Sequence, residues 1–488
     1  MAATLEIYDG STTIDLLDSS YNAALPVDLI PAPARAVYAG RALRGVTREP
    51  RSIRARLVVK GSSVSDLRTK LRDLESMLAT AERRQSSGYG TTVVLKCQMS
   101  NTDSEDIEFR VMWGELEIPP SALDEPTLSS SFAVPGVGLH LVCEPFGRLS
   151  SVSVSADTLE NEQDSTLVNY IDIQSITGTK SALMQLKIHD PNNGGGNAWN
   201  GSKKMWIARR SGERRTDDLF IQGEEEANLT EGSNPGGANT SFKSNGALSV
   251  AAASGGEVAQ IEWSQDAGSQ GLVLTWINAG YIQYDITGGN IPSGLYRVLV
   301  RGQVTSDISA ILPSDMGLAL GWTYGAKSKT PVSGDEVYPS ALSQYEIFDL
   351  GELTLEPTAI PDGFTAPTFS LRIHGTYLDS STSNVMGYLE YLKWQVDYVF
   401  LLPIDEGAAI VSSVSSSDRI LIDSLSDAPG VYMLNGSDVV QQFATFTGGP
   451  FDLGPEDTRV YVLRDDTGNP SDIQFTLTPT YVPRVGGL

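Results

Sequence analysis

Between Asp66 and Arg84 the apolar positions recur at helical spacing. Leu67, Leu71, Leu74, Leu78 and Ala81 fall on one stripe, which predicts an amphipathic helix. Ser63 and Ser65 stand just before Asp66 as candidate caps. Asp66 and Lys70 are four apart with the acid first, the better orientation for a helical ion pair. Elsewhere the period is two. In RSIRARLVVK, Ile53, Ala55, Leu57 and Val59 alternate with Arg54, Arg56 and Val58, which predicts a half-buried strand. Further short β-prone runs follow one another between Gly, Asn, Asp and Pro punctuation, and Asp9-Gly10 marks a hairpin near the start.

This patterning predicts a mainly β protein in three consecutive parts. Residues 1–150 form a β domain with one helix over 66–84, closing on Glu144-Pro145-Phe146. Residues 151–404 hold six of the seven Trp and read as an antiparallel jelly roll or β-sandwich. Residues 405–488 return to short strands, as a C-terminal β segment or small β domain that completes a sheet begun elsewhere. The Gly-, Ser- and Asn-rich stretch from Gly232 to Gly256 reads as a loop or weak strands. No solenoid or propeller repeat is present.

Composition narrows the class. A charged share of 19% in 488 residues suits β layers with Ser, Thr and Gly on their surface. The net charge of -25 disfavours sequence-independent binding to nucleic acid or to an anionic membrane. That charge is uneven: between Arg35 and Arg84 there are thirteen Lys or Arg against five Asp or Glu. Arg35, Arg41, Arg44, Arg48, Arg51, Arg54 and Arg56 therefore form a candidate basic surface between subunits of a homo-oligomer, set against a reading as solvated side chains. Cys97 and Cys143 lie in apolar runs as buried free thiols, with no disulfide framework. MAATLEIYDG lacks the basic and apolar regions of a secretory signal, and no stretch approaches a membrane span. The expected site of synthesis is intracellular and reducing, with any extracellular role reached inside an assembled particle.

Candidate chemistry is sparse. His140, His189 and His374 lie in no nucleophile signature, and no G-x-S-x-G elbow occurs. His140 and Cys143, three apart on a strand, point to opposite faces. The run from Asp190 to Gly194 resembles the start of a calcium loop, but Gly201 stands where an EF-hand needs Glu. Glu224, Glu225 and Glu226 fit a solvated loop, and no phosphate cradle is present. With 60 acidic residues, a close carboxylate pair carries little information about glycoside cleavage. The expectation is a protein without enzymatic activity, metal or cofactor. Sugar binding is the better candidate for the middle part, because Trp276, Tyr281, Tyr284, Trp322 and Tyr324 could stack on pyranose faces. The plainer reading places those rings in the sandwich core.

The order of these elements resembles the distal tail proteins of long-tailed bacteriophages. Tyr8-Asp9-Gly10 after the first strand, the basic–apolar alternation from Arg51 to Lys60, Gly61-Ser62-Ser63, the helix S-x-x-D-L-R-x-x-L-x-x-L from Ser63 to Leu74, and the Pro–aromatic step at Cys143 to Phe146 carry the likeness. The middle part resembles a galectin-like or carbohydrate-binding-module-like insertion, with WQVDYVFLLPID from Trp394 to Asp405 as its last strand. The resemblance implies a virion structural protein of the tail tip. In that role it would be a ring, commonly of six copies, joining tail tube to tip or fibre proteins, with a host-surface glycan as a further partner. A polysaccharide-binding protein of a tail tip or cell surface is the alternative, and a glycan-cleaving enzyme ranks behind both.

Overall fold

The computed structural model describes residues 4–24, 28–30, 34–39, 42–87, 90–98, 106–119, 132–161, 167–191, 199, 201–216, 218–222, 228–231, 240–249, 253, 257–265, 277–284, 286, 291–306, 316–325, 327–329, 343–355, 369–377, 392–426, 428–465 and 473–485. Among the described residues the protein is mainly β, with one α-helix near the N-terminus. It divides into two compact units. The first comprises Met1–Val152, Thr177–Leu183 and Tyr481–Leu488, and the second Ser153–Ile176 and Met184–Thr480.

The first unit contains β1 (Thr4–Tyr8), β2 (Thr13–Asp15), β3 (Asp28–Ile30), β4 (Ala34–Ala39), β5 (Ala42–Arg48), β6 (Arg51–Lys60), α1 (Val64–Ser87), β7 (Val94–Gln98), β8 (Ile107–Glu117), β9 (Ala133–Cys143) and β10 (Gly147–Arg148). Asp9-Gly10 makes the expected hairpin: β1 and β2 pair antiparallel with Tyr8 opposite Thr13, and Gly10 takes φ +95, which a side chain would resist. The pairing runs β2-β1-β7-β8-β9-β6-β3. The long strand β8 is shared, its first half pairing with β7 and its second half with β9. Leu5, Ile7 and Leu95 from one layer meet Ile53, Leu57, Leu139 and Leu141 from the other in one buried cluster. The alternation read in β6 is thus a core face and a wet face.

Helix α1 covers this core, with Leu67, Leu74, Met77, Leu78 and Ala81 buried and Leu71 partly so. Gly114 of β8 lets it approach: a Cβ there would come within 2.7 Å of Leu78 Cδ2. Its N-terminus is capped reciprocally. Ser63 Oγ accepts the Asp66 N–H at 3.1 Å, while Asp66 Oδ2 accepts the Ser62 N–H at 2.7 Å and pairs with Lys70 at 3.4 Å. Ser63→Ala is expected to cost roughly 1 kcal/mol, measured by chemical denaturation of the first-unit transition.

The second unit is built as a sandwich inserted into other β layers. Strands Tyr170–Ile173, Thr458–Arg464, Lys203–Ser211, Ala408–Val414 and Phe446–Gly448 make one sheet in that order. Arg419–Asp423 joins the strand ending at His189, followed by Gly430–Leu434 and Val440–Phe443. Gln474 to Leu477 pair with Asp157–Glu160. Strands before Ser211 thus pair with strands after Ala408, and the stretch between them is an insertion. The pairing divides the chain differently from a break at Asp405, because the last segment completes sheets begun by Tyr170–Ile173 and Lys203–Ser211.

The insertion has two antiparallel sheets. One runs Thr240–Ser249, Glu257–Gln265, Leu392–Pro403, Gly294–Ser306, Glu346–Leu355; the other runs Asn228–Glu231, Ile277–Tyr284, Phe369–Tyr377, Met316–Tyr324, Lys327–Lys329. Its core is continuous with that of the flanking strands, since Trp206, Ala208, Tyr461 and Leu463 belong to the same buried cluster as Tyr296, Phe348 and Phe400.

Candidate assembly surface

Among the described residues, no three His, Cys, Asp or Glu side chains stand together as a metal site. Asp190, at the start of the run compared with a calcium loop, is fully buried, and its Oδ2 accepts the Trp199 N–H at 3.1 Å; residues 192–198 lie outside the described residues. Glu224, Glu225 and Glu226 lie outside the described residues. Cys97 and Cys143 are buried free thiols, and burial pushes the Cys97 thiol up to about 12, so it stays protonated. His140 sits half-buried on β9, with Nδ1 3.6 Å from Glu115, Nε2 3.4 Å from Ser52 Oγ and its ring edge-on to Trp113.

The aromatic residues expected to meet a sugar are placed as follows. Tyr284, Trp322 and Tyr324 are core residues, at 0%, 5% and 8% exposure, and Trp322 Nε1 donates to the Leu350 carbonyl at 3.1 Å. Their period-two spacing turns them to the inner faces of the sandwich, so no stacking face is available at these three positions. Trp276 lies outside the described residues, as does the side chain of Tyr281 on its strand.

The basic set also separates. Arg51 does not belong to a surface: it is 2% exposed, with its guanidinium 5.0 Å from the centroid of the Phe109 ring. Burial pulls its pKa below the usual arginine value, against the pull of nearby Cys143 and Cys97. Its position at the start of β6, in phase with Ile53 and Ala55, aims it inward. Arg54 and Arg56, one step out of phase, are exposed, as are Arg48 and Lys60. Across β6, β9 and β8 they fall into rows, Arg54–His140–Glu115 and Arg56–Gly138–Glu117, that cross the wet face of the sheet.

Arg35 and Arg44 lie on β4 and β5, and Arg48 ends β5, while Arg41 lies outside the described residues. These strands pair with each other in a register of Ala34↔Arg48, Arg35↔Thr47 and Ala36↔Val46, with a bulge at Arg44. Among the described residues, neither pairs with any further strand. Two-stranded hairpins are marginal in water by themselves. Residues 34–48 contain four Arg and no acid.

Two polar clusters inside the second unit hold the insertion in place. At the points where the chain leaves and re-enters the flanking layers, Asp405 accepts from Arg210 at 2.8 Å and from Arg214 at 2.7 Å, while Glu406 accepts from Arg214 at 2.8 Å. Burial pushes the Asp405 carboxyl up, but Arg214 and Arg210 outweigh it and leave it below the usual carboxylate range. A depressed folded pKa stabilises fully above about pH 4 and is lost as pH falls through the folded value. Asp405→Asn should therefore lower the melting temperature at pH 7, and the gap from wild type should close toward pH 3 in thermal scans. Deeper in the insertion, Gln260 accepts from Gln395 at 2.8 Å and Gln395 from Gln303 at 2.7 Å, beside a fully buried Arg301–Asp397 ion pair.

A scan against protein-family models finds no match, and no curated protein matches the chain. Among solved structures, the chain is similar to the SPP1 Dit protein, described as a paradigm of the hub adsorption apparatus in phages infecting Gram-positive bacteria. That likeness has 9% identity and a TM-score of 0.31 over 99% of each chain. It is also similar to the infectious bursal disease virus VP2 subviral particle, at 8% identity and a TM-score of 0.16, over 62% of this chain and 66% of that one. No helix among the described residues is long and apolar enough to cross a membrane.

Proposed function

We propose that this chain is a structural protein of a phage tail tip, which self-assembles through its first unit into a ring and acts without a bond-breaking step. The observation that carries this reading is the arginine-bearing hairpin β4–β5, which has no strand partner within the described chain. Closed assembly satisfies such elements because each copy covers its neighbour's open edge. The order of strand, Asp-Gly turn, alternating strand and capped helix that resembles distal tail proteins supports the same reading. In that role the inserted sandwich of the second unit, tied in by Arg210 and Arg214, would present a fixed surface to tail-tube, tip or fibre proteins. Negative-stain electron microscopy of the purified chain tests this. Rings of uniform diameter are the expected result, and dispersed single copies or open filaments would contradict it.

A further inference from the structure

We propose that the outer face of the second-unit strands Arg419–Asp423, Gly430–Leu434 and Val440–Phe443 is a docking surface for a segment of another protein, one that carries apolar side chains interleaved with Asp or Glu. This goes beyond the assembly reading and does not depend on it.

The register sorts the side chains of these strands and of the neighbouring strand that ends at His189. Ile188, Ile420 and Met433 stand in one row and are buried, which marks the core side. One step out of phase, Lys187, Leu421, Tyr432 and Phe443 form a row across the opposite face. His189, Arg419, Leu434 and Val440 form the next row on that face. Gln441 is the extra residue of a bulge, and the bulge brings Val440 onto the same face as Phe443. The outer face thus carries apolar residues where a solvated face would carry polar ones.

Part of this face lies open. Phe443 is 66% exposed, Val439 55% and Val440 49%, and among the described residues the other exposed large apolar side chain is Val64 on α1. Single exposed apolar side chains are ordinary on a protein surface. Three within five residues, with the Tyr432 ring centroid 4.9 Å from that of Phe443, make a patch. Strand Val440–Phe443 also ends its pairing order, with Gly430–Leu434 on one side and, among the described residues, no strand on the other. Its main-chain groups are open along with its side chains.

Charge selects the partner. Lys187 and Arg419 both reach one carboxylate, that of Asp438, at 2.5 and 2.8 Å. The other acids nearby are engaged elsewhere. Asp418 accepts from the Ser415 N–H and hydroxyl, and Asp190 is fully buried. Two cations therefore share a single counter-ion at this end of the patch. His189, beside them, feels the same imbalance. Burial first, then Arg419 and Lys187, pull its pKa below the usual histidine value, against Asp438 and Asp190. An incoming carboxylate completes the balance while its apolar neighbours cover Val440 and Phe443. A second copy presenting this face would bring cations to cations.

The test uses the full chain and three synthetic peptides: one alternating Leu or Phe with Glu, one with Lys in place of Glu, and one with Ser in place of the apolar residues. Isothermal titration calorimetry reads binding, and circular dichroism checks the fold of each variant. The Glu peptide should bind wild type saturably and the other two should not. Val440→Ser/Phe443→Ser should weaken that binding by roughly 30-fold. Lys187→Glu/Arg419→Glu should weaken it by roughly 10-fold and turn the preference toward the Lys peptide. Equal binding of the Glu and Lys peptides, binding indifferent to both variants, or no saturable binding overturns the proposal. Light scattering adds a further check. A wild-type oligomer lost in Val440→Ser/Phe443→Ser would make a second copy the occupant and overturn it as well. Failure of the peptides to bind leaves the ring reading standing, since that rests on the first unit.

Discussion

Asp397→Leu should destabilise the second unit by about 3–5 kcal/mol, the cost of removing one member of a buried ion pair. Asp397 and Arg301 are both fully buried in the insertion, and the Arg301 guanidinium also lies 4.2 Å from the centroid of the Tyr345 ring. Removing the carboxylate leaves that cation in a dry layer with its countercharge gone. The register explains why an acid stands there. Arg301 faces Tyr398 and Gly302 faces Val396, so Asp397 is the extra residue of a β-bulge that turns its side chain toward Arg301. The double variant Arg301→Met/Asp397→Leu removes both charges and should be far milder than the single change. Urea denaturation of the two variants checks this, and a double variant as unstable as the single one would contradict it.

Trp206→Ala is expected to cost about 3–5 kcal/mol, as for other large aromatic truncations in cores. Trp206 is 1% exposed, on the strand Lys203–Ser211 that pairs with both Ala408–Val414 and Thr458–Arg464. Because its cluster also contains insertion residues such as Val298 and Phe400, the insertion and its flanking layers should lose stability together. Calorimetry should show one second-unit transition moving down as a whole. Two transitions, with only one displaced, would mean that the insertion melts independently of the layers that carry it.

The elements legible in the sequence are those whose signal is local. The helix declares itself through Leu67, Leu74 and Leu78, and its cap through Ser63 and Asp66, because both depend on neighbours within two turns. The Asp9-Gly10 turn and the alternation in β6 are equally local. What the sequence hides is non-local. That Met205 to Ala208 pair with Ala408–Val414 and Thr458–Arg464, far along the chain, is set by layer packing, which leaves no periodic trace in any of the three segments. Nor does the sequence distinguish a ring that stacks on a ligand from one that fills a core. Trp322 and Tyr324 have the spacing of either, and only the opposing sheet decides. Arg51 shows the same limit in reverse: charge places it outside, while phase along β6 places it inside against Phe109. That β4 and β5 pair with no further strand among the described residues is visible only once the other described strands are placed.

Native mass spectrometry of the wild-type chain at micromolar concentration and low ionic strength tests most directly whether this protein works by joining copies of itself. One closed stoichiometry, with dissociation as salt rises, is the result expected of a ring held by charged contacts. Single chains throughout the concentration range, or a continuous ladder of sizes with no preferred number, would contradict it.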